Sequence, residues 1–199
     1  LPTDYNNFAV CDPAFSQDVG ADESSITVVS VDSNNDWYVR EVRSGIWTVN
    51  ELIQQLFTVK KQWKPIAMSI ETIGQAQGLM TPIHDEENRR NDYLPITEIK
   101  VRPKIKKEMR IRSVLQPRFE RGKVYIKRDM FDLEEQLLKF PRSRRDDIID
   151  SLTDVEEIAF PAESPQDEVK LTGSYFQDLI IKRKHKKFNK GDEFLGEQF

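Results

Sequence analysis

SITVVSVD at Ser25–Asp32 and DWYVREVRS at Asp36–Ser44, joined by Ser33-Asn34-Asn35, decide the fold. Both runs are rich in β-branched and aromatic residues, and the turn-forming residues between them predict an antiparallel hairpin. Upstream, the short apolar run Phe8–Cys11 stops at Asp12-Pro13, because proline has no N–H to give a ladder. Downstream the period changes. Val49, Leu52, Ile53, Leu56 and Phe57 fall on one helical stripe and Thr48 stands where a cap belongs, predicting a helix to Trp63. Pro65–Ile70 (PIAMSI) is nearly all apolar, as in a strand buried on both faces, and it ends at Glu71. Gly74–Asn91 then reads as a helix running into a polar loop, Leu94–Val101 as a strand, and Ile105–Gln116 as a basic helix. Arg118–Ile126 reads as a hairpin-like stretch turning at Arg121-Gly122, and Phe131–Phe140 as an amphipathic helix. The last strong helix runs from Asp146 to about Phe160. Three antiparallel strands followed by alternating strand and helix predict an α/β fold, a mixed sheet whose later strands are parallel, flanked by helices.

The 199 residues, 38% hydrophobic and 32% charged, suit one domain over residues 1–160 with a weakly ordered basic tail over 161–199. Cys11 is the only cysteine, and His84 and His185 are far apart, which excludes a disulfide scaffold and a Cys/His zinc site and fits a reducing cytoplasm. No run approaches 18 apolar residues, so a membrane span is excluded. The net charge of −4 hides a strong asymmetry. Lys100–Arg128 holds 12 Lys and Arg against Glu108 and Glu120, a net of +10; 18 basic and 32 acidic residues remain elsewhere, a net of −14. A basic face on an acidic body is suited to phosphates, and Lys104, Lys106, Lys107, Arg110, Arg112 and Arg118 are dense enough to neutralise several.

The acidic residues carry the chemistry. Asp12 and Glu71 end predicted core strands, where open α/β sheets place their ligands, and Asp146-Asp147-Ile148-Ile149-Asp150 opens a helix with Asp147 and Asp150 about 60° apart on one face. Singly, each has a plain structural reading: a turn, a cap, a complement to the helix dipole. Together they repel, and a divalent cation relieves that. Oxygen donors without His or Cys select Mg²⁺ or Mn²⁺, and two such ions about 4 Å apart activate water against a phosphodiester. Trp37, Trp47 and Trp63 read as core or edge aromatics, and Cys11 as an inert buried thiol.

Four stretches resemble the C-terminal nuclease domain of the large terminase subunit of tailed bacteriophages, a ribonuclease H-like family. They are Cys11-Asp12-Pro13-Ala14 with Gly20-Ala21-Asp22; Ser69-Ile70-Glu71; Lys106–Ile111 with Leu115-Gln116-Pro117 and Gly122-Lys123-Val124; and Arg145–Leu152. In order and spacing they span about residues 8 to 160. The last is the most specific, similar to the family's Asp-Asp-x-x-Asp-Ala-Leu pattern with Ser151 in place of Ala, and Arg145 standing where many members have His. The resemblance implies that Asp12, Glu71 and Asp147 are catalytic metal ligands, with Asp146 or Asp150 as a fourth, holding two Mg²⁺ or Mn²⁺ ions. It implies that Lys106, Lys107 and Arg110 contact DNA, and that the chain cuts concatemeric double-stranded DNA during genome packaging in the cytoplasm of an infected bacterium. An ATPase motor domain of the same protein, a portal and a small terminase subunit are the implied partners. A Holliday-junction resolvase-like nuclease and a noncatalytic DNA-binding packaging module are the competing readings.

Overall fold

A computed structural model of the chain describes residues 4–14, 23–71, 78–99, 106–143 and 145–163. Its strands are β1 (Tyr5–Asp12), β2 (Ser24–Asp32), β3 (Trp37–Gly45), β4 (Ala67–Glu71), β5 (Ile96–Ile99) and β6 (Val124–Tyr125), in one sheet of order β5-β4-β1-β2-β3-β6. The β1–β2 and β2–β3 pairs are antiparallel; β1–β4, β4–β5 and β3–β6 are parallel. The hairpin turns on Asp32, whose Oδ1 accepts from the backbone N–H of Asn34 (2.9 Å) and Asp36 (2.8 Å), while Asn35 takes the left-handed φ of 59°.

The helices are α1 (Val49–Trp63), α2 (Met80–Arg90), α3 (Lys107–Glu120), α4 (Phe131–Lys139) and α5 (Asp147–Asp154). α1 begins with a capping box: Thr48 Oγ1 accepts from Glu51 N–H at 3.3 Å and Glu51 accepts from Thr48 N–H at 2.8 Å. Strand alternation divides the core. Ala9, Cys11, Ile26, Val28, Met68 and Ile70 face α1 and α2, whereas Phe8, Val10, Val29, Val31, Trp37 and Val39 face α3, α4 and α5.

Three boundaries differ from expectation, the last helix falling short of its expected length, with α5 ending at Asp154 instead of near Phe160. α3 runs through Pro117 to Glu120 instead of stopping at Gln116, because Arg118 stacks 3.9 Å over the Trp37 ring and pairs with Glu156 at 2.6 Å, holding the last turn down. The segment after Gly122 (φ 64°) does not fold back on α3 as a hairpin but joins β3 in parallel, Trp37 N–H donating to Lys123 O at 2.8 Å. The last helix is α5 followed by a 3-10 turn at Val155–Glu157. The chain divides into units Leu1–Glu163 and Ser164–Phe199. Residues 164–199 of the expected basic tail, Lys100–Ile105 and the loop at 15–22 lie outside the described residues, while Ala162 N–H, at the tail's expected start, donates to Asp32 O at 3.3 Å. No helix among the described residues is long and apolar enough to cross a membrane.

Candidate active site

β1 and β4 lie side by side in parallel register, Cys11 opposite Ile70, so both end at the same edge of the sheet. Since Cys11 and Ile70 face α1 and α2, the next residues, Asp12 and Glu71, turn to the α5 side. There α5 crosses the sheet on polar anchors. Ser25, paired with Asp12 in the ladder, donates from Oγ to Asp147 O at 2.9 Å, and Thr27 and Ser151 share a buried hydroxyl hydrogen bond of 2.7 Å. The Ala-to-Ser change is therefore absorbed by Thr27, one of several buried polar residues of β2.

α5 has no side-chain cap of its own. Gln136 on α4 fills the role, its Oε1 accepting from Ile148 N–H (3.1 Å) and Ile149 N–H (3.2 Å). Asp147, Asp150 and Asp154 follow at helical spacing, and Asp150 and Asp154 are only 5% and 2% exposed. α3 lies against them. Lys107 Nζ bridges Asp146 (2.8 Å) and Asp150 (2.9 Å), and Arg110 pairs with both Asp150 and Asp154.

The electrostatics show a cluster short of positive charge. Burial and the carboxylates of Glu71, Asp150 and Asp147 push Asp12 up to about 7, with Lys107 acting the other way. Burial and Asp150 raise Glu71 against Arg110 and Lys107. Burial carries Asp154 up to about 7 despite the Arg110 guanidinium beside it. Burial opposes the charge on Lys107, but its hydrogen bonds to Asp146 and Asp150 hold it above the ordinary lysine range. Cys11 is raised by burial and by Asp12, and stays a thiol.

The structure thus brings Asp12, Glu71, Asp147 and Asp150 to one face, with Asp146 at the helix start. Lys106 is exposed at the head of α3, whereas Lys107 and Arg110 are occupied by carboxylates. Arg145 pairs with Glu23. Asp154 and Gln136 escaped the sequence reading. Asp154 had a signal, lying four residues beyond Asp150 on the same helical face; Gln136 had none. Among the described residues no three of these carboxylates close around a single point as ligands do, Lys107 and Arg110 being interposed. The donors are nevertheless all carboxylate oxygens, and the raised Asp12 marks unmet demand for positive charge, so the set fits a hard divalent cation.

No protein-family model matches the sequence, and no curated protein matches it. Solved structures do match the fold. The large terminase nuclease of thermophilic phage G20c, solved with bound zinc, superposes with a TM-score of 0.58 at 19% identity, over 80% of this chain and 84% of that one. The large terminase nuclease domain of phage P22 gives 0.60 at 12% identity, over 84% and 88%. A mutant nuclease domain of the large terminase subunit of bacterial virus Sf6, solved with manganese and β-thujaplicinol, gives 0.52 at 10%, over 74% and 86%. The fold is ribonuclease H-like. In a ribonuclease H-like sheet of this order the ends of β1 and β4 lie next to each other, and here those ends are Asp12 and Glu71.

Proposed function

We propose that the chain is a divalent-metal-dependent DNA endonuclease that cuts concatemeric double-stranded DNA during phage genome packaging. The observation that carries this reading is the convergence of Asp12 and Glu71, from neighbouring parallel strand ends, with the acidic face of α5. Asp12, Glu71 and Asp147, with Asp150 or Asp146, would hold two Mg²⁺ or Mn²⁺ ions. Divalent ions in such a setting supply a nucleophile at neutral pH and neutralise charge at the phosphate.

The chain's own residues do the positioning. Ser25 and Thr27 fasten α5 across β2, so that Asp147 lies one strand from Asp12. Arg110 holds the buried Asp150 and Asp154 in place, and Lys107 spans Asp146 and Asp150. Lys107 and Arg110 can engage a DNA phosphate only by exchanging these partners, whereas Lys106 is exposed and ready to do so. Phosphate contacts of that kind anchor DNA without reading its sequence, as cutting at many genomic sites requires.

Nicking of supercoiled plasmid tests the reading. Cutting is expected with Mg²⁺ or Mn²⁺, and Glu71→Gln or Asp147→Asn should abolish it while leaving the far-ultraviolet spectrum unchanged. Full activity in excess chelator, or in either variant, would refute it.

A further inference from the structure

A second feature opens beside the carboxylates. β3 is paired with β6 only at Trp37 and Tyr38, and past those residues a cleft of about 450 Å³ runs along its outer edge. Ser44 lies at one end. It pairs with Ser25, which pairs with Asp12, so the cleft starts in the same row of the sheet as the carboxylates, about 10 Å away at two strand spacings. Ile148, next to Asp147, lines it too.

Down the cleft stands Arg40, and the backbone explains why it points there. Val29 pairs with Val39 but Val28 pairs with Glu41, which makes Arg40 the extra residue of a β-bulge, a device that re-aims a side chain. Its guanidinium is held against the rings of Trp63 (5.0 Å) and Tyr5 (5.4 Å), yet Nε and Nη1 are buried with no hydrogen-bond partner. Buried donors of a charged group left unmatched cost free energy until an acceptor arrives. Lys127 approaches the same indole at 5.8 Å, and neither cation forms an ion pair among the described residues. Trp63 is itself fixed by its N–H on Glu41, and Glu41 is further neutralised by Arg43. Asp129 and Asp132 line the cleft too and are exposed, and Phe131 beside them is 70% exposed.

We propose that this cleft binds one DNA strand beyond the scissile phosphate, with Arg40 and Lys127 taking phosphates and Phe131 offering a face to a base. The inference rests on the nuclease reading for its direction: a strand whose phosphodiester lies at Asp12, on the α5 side, passes the start of α5 and turns round the β3 edge to reach the Arg40 guanidinium against Trp63 on the α1 side, at least about 16 Å and several nucleotides on. The cavity is the size of a small-ligand pocket, which admits a single backbone and not a duplex. Cations combined with an exposed aromatic are the means by which proteins hold single strands without sequence preference. Trp63 is a positioning residue here, keeping the two cations in place through its ring.

The test is fluorescence anisotropy of a labelled twelve-nucleotide oligothymidine with the full chain in chelator, across a salt series. Lys127→Ala and Arg40→Gln should each weaken binding about tenfold and make the salt slope shallower by about 0.7. Lys127 is exposed, so its variant keeps the test valid even where Arg40→Gln fails to fold. Unchanged affinity and slope in Lys127→Ala would overturn the proposal. So would displacement of the oligonucleotide by an acidic decapeptide in the wild type but not in Arg40→Gln, which would make the cleft a peptide groove. The two readings fail separately. Oligonucleotide binding that depends on Arg40 and Lys127 in a chain that never nicks plasmid sinks the nuclease and keeps the cleft; nicking with Asp12-dependent chemistry but no such binding does the reverse.

Discussion

Replacing Asp12 by Asn tests whether the carboxylate cluster is a functional strain or a structural support. In the fold, burial and the charges of Glu71, Asp150 and Asp147 move the Asp12 carboxyl from its ordinary 3.8 up to about 7. A raised carboxyl means that the native state binds a proton the unfolded chain has released. Stability attributable to this group is therefore full below about pH 4, falls as pH rises from 4 to 7, and levels off above 7. The difference is worth up to about 4 kcal/mol at 1.36 kcal/mol per pH unit. Asn has nearly the same shape and never ionises, so Asp12→Asn should equal the wild type near pH 4 and exceed it at pH 8. For a chain of this size the gain corresponds to a rise in Tm of about 10 °C at pH 8 in chelator. Thermal unfolding at pH 5 and pH 8 gives the comparison, and added Mn²⁺ should stabilise the wild type at pH 8 more than the variant. A variant less stable than the wild type at pH 8, by a margin that does not change with pH, would show that Asp12 serves the fold and not the site.

Gln136→Ala should destabilise the chain by about 1–3 kcal/mol in urea, because the N–H groups of Ile148 and Ile149 lose their buried acceptor; no change would mean that α5 is capped elsewhere. Arg110→Met should cost about 3–5 kcal/mol, leaving buried Asp154 without its cation and Asp150 with Lys107 alone, and the loss should shrink at low pH as Asp154 takes up its proton; an equal loss at pH 5 and pH 8 would point to packing instead. Lys106→Ala should weaken binding of unrelated duplexes about equally and make the salt slope shallower by about 0.9, read by anisotropy in chelator; an unaltered slope would mean that the residue is merely solvated.

Much of the fold is legible because it depends on local pattern. The apolar run Phe8–Cys11, the cap residue Thr48 and the apolar stripe of α1 each declare an element without help from distant residues. The end of α3 does not. Pro117 is an ordinary stop signal in sequence, and what overrides it is Arg118 reaching Trp37 on β3 and Glu156 beyond α5, contacts 38 or more residues away in the chain. Polar anchors are equally hidden: a threonine at position 27 announces that something polar faces it, but not that the partner is Ser151.

The same limit divides the acids from the cations at the candidate site. An acid that ends a buried strand has few places to go, so the pattern of β1 and β4 puts Asp12 and Glu71 each at a strand end, while their being neighbours is a fact of the ladder. A lysine on a basic helix has two chemically similar partners, a carboxylate or a phosphate, and only the crossing of α3 over α5 decides between them. That crossing puts Lys107 and Arg110 on Asp146, Asp150 and Asp154. It follows that the +10 of Lys100–Arg128 overstates the charge this segment presents to DNA, since Lys107, Arg110, Arg118 and Lys123 each already face an acid from outside it. Among the described residues of the segment, Lys106, Arg121, Lys127 and Arg128 are left over, Lys106 beside the carboxylates and Lys127 sharing the cleft along β3 with Arg40. Arg40, outside the basic segment altogether, could not have been chosen from charge density; the bulge that aims it is visible only in the ladder.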